Sequence, residues 1–162
     1  MDVASDACIL INFAIVDRLD VLGKIAGYRF HVTKEVLDEI EDCEHRERIE
    51  QAIRDSVLQL TALTGADELA IFVRQRELLG KGESSCLALV QYRRWVLCTV
   101  ETKGAKWLQV TTVEKGHVLN TPGILLLAIK AGILSVEEAD GIKASLETRR
   151  YKMSFKSFSE LI

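Results

Sequence analysis

The chain has 162 residues, of which 48% are hydrophobic and 28% are charged, and its formal net charge is −3. This length and composition predict one folded domain over residues 1–162 and argue against a disordered chain. The small negative charge argues against binding to nucleic acid by overall charge alone, although it is compatible with a local basic rim beside an acidic site.

The first half of the chain alternates strand patterns with helical ones. In chain order it predicts a strand at 2–5, helices at 7–16 and 18–25, a strand at 28–32, a helix at 34–56 and a strand at 57–60. Thr33 is the predicted N-cap of the long helix. The intensely charged middle of that helix, residues 41–50, leaves room for a break.

The second half continues the alternation. It predicts helices at 66–79 and 83–93, a strand at 95–100, a helix at 103–108, a strand at 116–119, and helices at 121–131, 135–147 and 154–162. Strands separated by helices pair in parallel through crossover connections. The predicted fold class is therefore α/β, a three-layer α/β/α sandwich with a short, mainly parallel sheet of four or five strands.

Four carboxylates recur where a predicted strand ends or the following helix begins: Asp6, Glu39, Glu83 and Glu101. In a parallel sheet, the carboxyl ends of strands and the N-termini of the following helices share one edge. We therefore expect these four side chains to converge there. Since several carboxylates in one cleft repel one another, a divalent cation is the simplest way to hold them together.

Each carboxylate also has an ordinary structural interpretation. Asp6 suits the N-cap of the next helix, and Glu83 suits the favourable charge of a first helical turn. Glu39 lies among other acidic residues, most of which must form a solvated face. Only the four together favour a catalytic site. Such a site suits Mg²⁺ or Mn²⁺, which prefer oxygen ligands and can activate water beside a phosphodiester.

The four cysteines, Cys8, Cys43, Cys86 and Cys98, have no CxxC spacing and no neighbouring pair of histidines. This pattern argues against a zinc site and is typical of a reducing cytosol. No signal-peptide pattern opens the chain and no apolar run is long enough to span a membrane. The sequence therefore predicts a cytoplasmic protein without a membrane partner.

Four segments together resemble the PIN-domain nucleases, in particular the branch of VapC-type toxins. Residues 5–11, SDACILI, resemble the opening D-x-S-x-L-I signature, and residues 31–40, HVTKEVLDEI, resemble the V-P-x-x-V-x-x-E-L segment. Residues 80–89, GKGESSCLAL, resemble the G-x-G-E-x-x-A-I-x-L-A helix start, and residues 119–128, LNTPGILLLA, resemble the G-T-x-G-L-L-x-x-A helix. The last two segments are the more specific.

The resemblance implies a metal-dependent endoribonuclease that selects single strands and leaves 5′-phosphate and 3′-hydroxyl ends. It assigns Asp6, Glu39, Glu83 and Glu101 as catalytic residues and as ligands of Mg²⁺ or Mn²⁺. It implies that Asn12 and Thr99 support those ligands from the second layer of residues around the metal. It further implies a homodimer that a small antitoxin protein silences.

The chain departs from the family pattern at the end of the fourth strand. The family has L-x-T-D-D, whereas residues 97–101 are LCTVE, so Val100 stands where the first Asp is expected. Either Glu101 supplies the missing ligand or the site has three acids. The departure motivates an alternative, a PIN-like binding or assembly module with impaired catalysis. A receiver-like signalling domain is a weaker alternative, because no phosphoacceptor Asp follows a middle strand.

Basic residues near the predicted edge are candidate RNA contacts. Lys81 precedes Glu83, and Lys103 and Lys106 follow Glu101. A further basic run near the end of the chain comprises Arg149, Arg150, Lys152 and Lys156. This run is either a second RNA contact or a set of charges that complements the end of the preceding helix.

Overall fold

The computed structural model describes residues 1–100 and 117–162. The strands are β1 Asp2–Ser5, β2 Arg29–Val32, β3 Gln59–Leu60, β4 Val96–Cys98 and β5 Val118–Leu119. The helices are α1 Ala7–Ile15, α2 Asp20–Lys24, α3 Lys34–Asp38, α4 Cys43–Arg54, α5 Ala66–Gln75, α6 Lys81–Arg93, α7 Thr121–Lys130, α8 Val136–Thr148 and the 3₁₀ helix Phe158–Glu160.

Within the described residues the strands form one parallel sheet in the order β3-β2-β1-β4-β5. The central strand β1 pairs with both neighbours, so that Val3 lies opposite Phe30 on one side and Val96 on the other. Helices flank the sheet, and the fold class is the predicted α/β sandwich. Because the pairing is parallel, β1, β2, β4 and β5 all end at the same edge.

The hydrophobic core lies between this sheet and the helices packed on it. The central strand contributes Val3, α1 contributes Phe13, and α6 contributes Leu87 and Leu89, all of which are buried. Burying side chains of this size stabilises a fold by about 1.5–3 kcal/mol each. Between residues 1 and 100 and between 117 and 162, every helix is too short or too polar to cross a lipid bilayer.

Side-chain caps begin the helices that leave the shared edge of the sheet. Asp6 caps α1, Thr33 caps α3 by accepting from the amide of Val36 at 3.2 Å, and Asn120 caps α7 by accepting from Gly123 at 2.9 Å. At the opposite end of the molecule, Ser135 begins α8 with a capping box completed by Glu138. Each of these caps fixes the direction in which the chain enters its helix.

The predicted helix 66–79 ends at Gln75 and the predicted strand 57–60 covers only Gln59–Leu60. Three further helices differ more from their predictions. The predicted helix 34–56 is two helices, because the chain breaks after Asp38 and Asp42 caps a new helix by accepting from the amide of His45. Helix α6 begins at Lys81, so Glu83 is its third residue and not its first. The final helix is only the 3₁₀ turn Phe158–Glu160. The predicted helix 103–108 lies outside the described residues.

Candidate active site

Asp6 is held rigidly where β1 passes into α1. Its side chain is buried, with 4% exposed, and its amide donates to the carbonyl of Cys98 at 2.9 Å. One carboxylate oxygen, Oδ1, accepts from the amide of Ala7 at 2.8 Å, and the other accepts from the hydroxyl of Thr99 at 3.1 Å. Thr99 therefore contacts Asp6 directly and fixes its orientation, at the end of the neighbouring strand β4.

Glu39 reaches the same region from the end of α3. It is exposed and lies at the C-terminus of that helix, where the break before α4 begins. Its Oε1 accepts from the backbone amide of Gly82 at 2.7 Å. The carboxylate therefore sits on the first turn of α6, where free amides and the helix dipole favour a negative charge.

Glu83 follows Gly82 directly on that first turn. Its side chain is half-buried, and its Oε1 is inaccessible to solvent. The turn is tied to the end of β2, because Ser85 Oγ donates to the carbonyl of Gly82 at 2.7 Å and shares a 2.7 Å hydrogen bond with Thr33 Oγ1. Glu39 and Glu83 are therefore brought together by one helix start.

Two buried cysteines lie within electrostatic range of these acidic groups. Burial, followed by the charges of Asp6, Cys98 and Glu39, raises the pKa of the Cys86 thiol well above its usual range. Burial and the charge of Asp6 likewise raise the pKa of Cys98. Both thiols therefore stay protonated at neutral pH.

A polar chain behind this edge connects α1, α7 and the C-terminal segment. The amide nitrogen of Asn12 donates to Thr121 Oγ1 at 3.0 Å, and both residues are buried. The side chain of Tyr151 hydrogen-bonds to the same Thr121. Burial raises the pKa of Tyr151, and its hydrogen bond with Thr121 opposes that effect. The resemblance implied that Asn12 supports the metal ligands, whereas its hydrogen bond here is with Thr121. Nothing in the sequence pointed to Tyr151.

The donor chemistry of this edge fits a hard divalent cation. Carboxylate oxygens are the ligands that Mg²⁺ and Mn²⁺ prefer, and the protonated thiols of Cys86 and Cys98 offer no thiolate to a softer metal. Over residues 1–100 and 117–162, however, no group of three or more His, Cys, Asp or Glu side chains is arranged to hold a metal ion. The fourth predicted ligand, Glu101, lies outside the described residues.

The predicted RNA contacts are only partly described. Lys81 is the first residue of α6 and lies next to Gly82 and Glu83. Its ammonium is half-exposed and 3.7 Å from Asp38 Oδ2. Exposed pairs of this kind are weak, so the lysine can still turn towards an anion. Lys103 and Lys106 lie outside the described residues.

Comparison with known proteins supports the fold and the family resemblance. The model of the family DUF3368, described as a PIN domain, matches residues 2–162. Comparisons with curated proteins and with solved structures gave no match. The family match spans the acidic edge and all of the elements that build it.

Proposed function

The chain belongs to the PIN-domain family, and on this premise we propose that it is a metal-dependent endoribonuclease. PIN domains are generally nucleases that use divalent metals. The observation that carries the proposal is the approach of Glu39 to the first turn of α6, directly beside Glu83, with Asp6 held in a fixed orientation at the end of the central strand. We propose that these residues and Glu101 hold Mg²⁺ or Mn²⁺ for the hydrolysis of RNA phosphodiester bonds.

The described residues support particular steps in this chemistry. When bound, the metal supplies an activated water and stabilises charge on the phosphate. Thr99 and the amide of Ala7 hold Asp6 with both of its oxygens accepting, which fixes the orientation of the carboxylate. The amide of Gly82 holds one oxygen of Glu39 in the same way. Such fixed ligands do not have to reorganise during the reaction.

We further propose that the protein is the toxin of a toxin–antitoxin pair, acting on cytoplasmic RNA and silenced by a small antitoxin. The resemblance to VapC-type toxins in residues 80–89 and 119–128 motivates this role. The four free cysteines suit the reducing compartment in which such an enzyme would act.

The outer face of α5 supports the proposed homodimer. The buried residues of this helix are the polar Glu68 and Gln75, whereas Leu69 and Val73 are 45% and 64% exposed. An amphipathic surface helix normally turns its apolar face inward. This inverted arrangement leaves an apolar stripe on the outside, which a second copy of the chain would cover.

The binding or assembly module is the second candidate function, and Val100 is the observation that favours it. This apolar side chain packs against the core at the end of β4, where the family places an acid. Calorimetry separates the two candidates. A nuclease should bind Mn²⁺, whereas a binding module with an incomplete site should bind it weakly or not at all.

Cleavage of a labelled single-stranded RNA in the presence of Mn²⁺ tests the leading proposal. We expect Glu83→Gln to slow cleavage by at least about 100-fold, because several kcal/mol of charge stabilisation depend on the metal. Glu137→Gln, an exposed change at the start of α8, is the matched control and should cleave normally. Cleavage by the wild type in EDTA, or full activity of a folded Glu83→Gln variant, would disprove it.

A further inference from the structure

A run of unpaired cations follows helix α8. Arg149, Arg150, Lys152 and Lys156 are all exposed, and none is within ion-pair distance of a carboxylate in the described ranges. The neighbouring acid, Glu147, is engaged by Lys143 at 2.7 Å. By contrast, several arginines elsewhere are paired with carboxylates: Arg18, Arg29, Arg46, Arg48, Arg54 and Arg93. We call residues 149–156 the basic strip.

The basic strip begins at the edge of the sheet that carries the acidic residues. Helix α7 leaves this edge at Thr121, and α8 returns to it before the chain reaches Arg149. Tyr151, within the strip, hydrogen-bonds to Thr121, the first residue of α7, and lies within electrostatic reach of Cys98, the last residue of β4. The carbonyl of Cys98 accepts from the amide of Asp6 at 2.9 Å, so the end of β4 and Asp6 share this edge. The strip therefore begins on the side of the molecule that carries Asp6.

The backbone of the strip is held so that its cations face outward. Exposure alternates along it, because Arg150, Lys152 and Lys156 are exposed while Tyr151 and Met153 turn inward. The amide of Tyr151 donates to the carbonyl of Leu146 at 3.2 Å, and Arg150 adopts a left-handed φ of 70°. Cations on an anchored backbone bind with a smaller loss of conformational freedom than cations on a loose tail.

We propose that the basic strip is a binding site for the phosphodiester backbone of single-stranded RNA, which it guides to the acidic edge. This inference rests on the proposed nuclease function, because it names how that site holds its substrate. Carboxylates that hold a metal repel the phosphates of the flanking nucleotides, so a nearby row of cations is needed to retain the strand. Complementing the dipole of α8 would explain Arg149 and Arg150, but Lys152 and Lys156 lie beyond the last turn.

The salt dependence of RNA binding tests the strip without catalysis. Binding of a short fluorescent single-stranded RNA to the full chain is measured in EDTA, between about 50 and about 200 mM salt. Removing one cation that neutralises a phosphate should lower the slope of log K against log salt by about 0.7, so the triple variant Arg149→Gln, Lys152→Gln and Lys156→Gln should reduce the slope by roughly 2. Arg149→Lys, which keeps the charge, should retain the wild-type slope.

The matched control is Lys130→Gln, an exposed lysine at the far end of α7. It should leave both affinity and slope unchanged. A folded triple variant with the wild-type slope would overturn the proposal, as would an equal reduction in Lys130→Gln. The Mn²⁺ cleavage assay separates the two failures. If the wild type cleaves RNA but the triple variant binds RNA with the wild-type slope, only the proposed role of the strip is refuted. If the wild type binds RNA through the strip but does not cleave it, the proposed nuclease function is refuted.

Discussion

The carboxylate of Glu39 occupies the space that a side chain at Gly82 would need. Its Oε1 accepts from the Gly82 amide at 2.7 Å, and a Cβ at position 82 would lie 2.5 Å from its Oε2 and 3.2 Å from the Cα of Val36. The glycine before Glu83 therefore lets the end of α3 approach the start of α6. It also couples the position of one candidate ligand to the helix that carries another.

Gly82→Ala should therefore move Glu39 and destabilise the fold. Overpacking of this kind costs about 1–3 kcal/mol, and a urea or thermal unfolding curve measures it. In the double variant Glu39→Ala, Gly82→Ala, the carboxylate can no longer clash, so the cost should be smaller than the sum of the single costs. Strict additivity would show that the contact between Glu39 and Gly82 carries no coupling. Gly141→Ala, with no atom near its Cβ position, is the control.

The sequence predicted those parts of the fold that depend on local signals. Each of these signals lies within a few consecutive residues. Examples are the apolar residues of β1, the caps Thr33 and Ser135, and the glycines around residue 80. Parallel pairing then places the ends of β1, β2, β4 and β5 at one edge by topology alone. From that topology the sequence predicted that Asp6, Glu39 and Glu83 lie at one edge, and the structure places Glu39 against Gly82, the residue before Glu83.

Contacts between residues that are far apart in the sequence could not be predicted from such local signals. Glu39 and Gly82 are 43 residues apart, and no spacing rule predicts their hydrogen bond. The charged stretch left room for a break in the predicted helix 34–56 but did not fix its position, because the acidic residues around Asp38 suit a helix surface equally well. The contact of Tyr151 with Thr121 was missed because it depends on a left-handed backbone conformation at Arg150. Arginine rarely adopts that conformation, so nothing in the sequence indicated the turn.

The buried ion pair between Glu68 and Arg93 should be costly to break. Glu68 is fully buried and accepts from Arg93 Nε at 2.7 Å and from Nη2 at 3.0 Å, while Arg93 also lies 5.1 Å from the ring of Trp95. Arg93→Met leaves the fully buried carboxylate of Glu68 without its cation, so it should cost about 3–5 kcal/mol of unfolding free energy. The double variant Glu68→Leu, Arg93→Met removes that stranded charge and should lose less than Arg93→Met alone, as measured by urea denaturation. A double variant less stable than Arg93→Met would contradict this account.

His31 should make stability depend on pH below neutrality. Its ring lies between Thr61 and Asp2, with a 2.8 Å contact to each. Burial lowers the pKa of His31 below its usual value of 6.5, although the hydrogen bond and charge of Asp2 oppose that effect. The unfolded chain therefore takes up this proton first, and the free energy of unfolding should fall as the pH drops below about 6.5. The decline ends where folded His31 also becomes protonated.

Asp2 does not produce this decline. Burial would raise the pKa of Asp2, but hydrogen bonds from His31 and Arg29 outweigh it, and the pKa is lowered from 3.8. The stability it contributes is lost only below about pH 3.8. Urea denaturation at several values of pH between about 4 and 7 should therefore show a slope that His31→Gln reduces. An unchanged slope in the variant would assign the effect to other groups.

Restoring the acid that the family pattern expects should strengthen metal binding. Val100 is partly buried at the end of β4, directly after Thr99, which contacts Asp6. Val100→Asp adds a carboxylate beside that contact, and we expect tighter Mn²⁺ binding by calorimetry together with some loss of thermal stability. Val100→Asn has nearly the same shape without the charge, so it should lose stability without gaining affinity. Equal affinities in all three proteins would argue against a metal site at this edge.

The outer face of α5 makes a prediction about self-association. Leu69 and Val73 are 45% and 64% exposed, and a second copy of the chain that covers them would bury both side chains. Val73→Asp would then bury an unpaired charge in the dimer, so it should shift the protein towards monomer in sedimentation velocity at several concentrations. Ile162→Asp, at a position 66% exposed elsewhere, is the control and should leave the dimer unchanged. A wild type that stays monomeric while the antitoxin protects Val73 from exchange would assign the stripe to that partner instead.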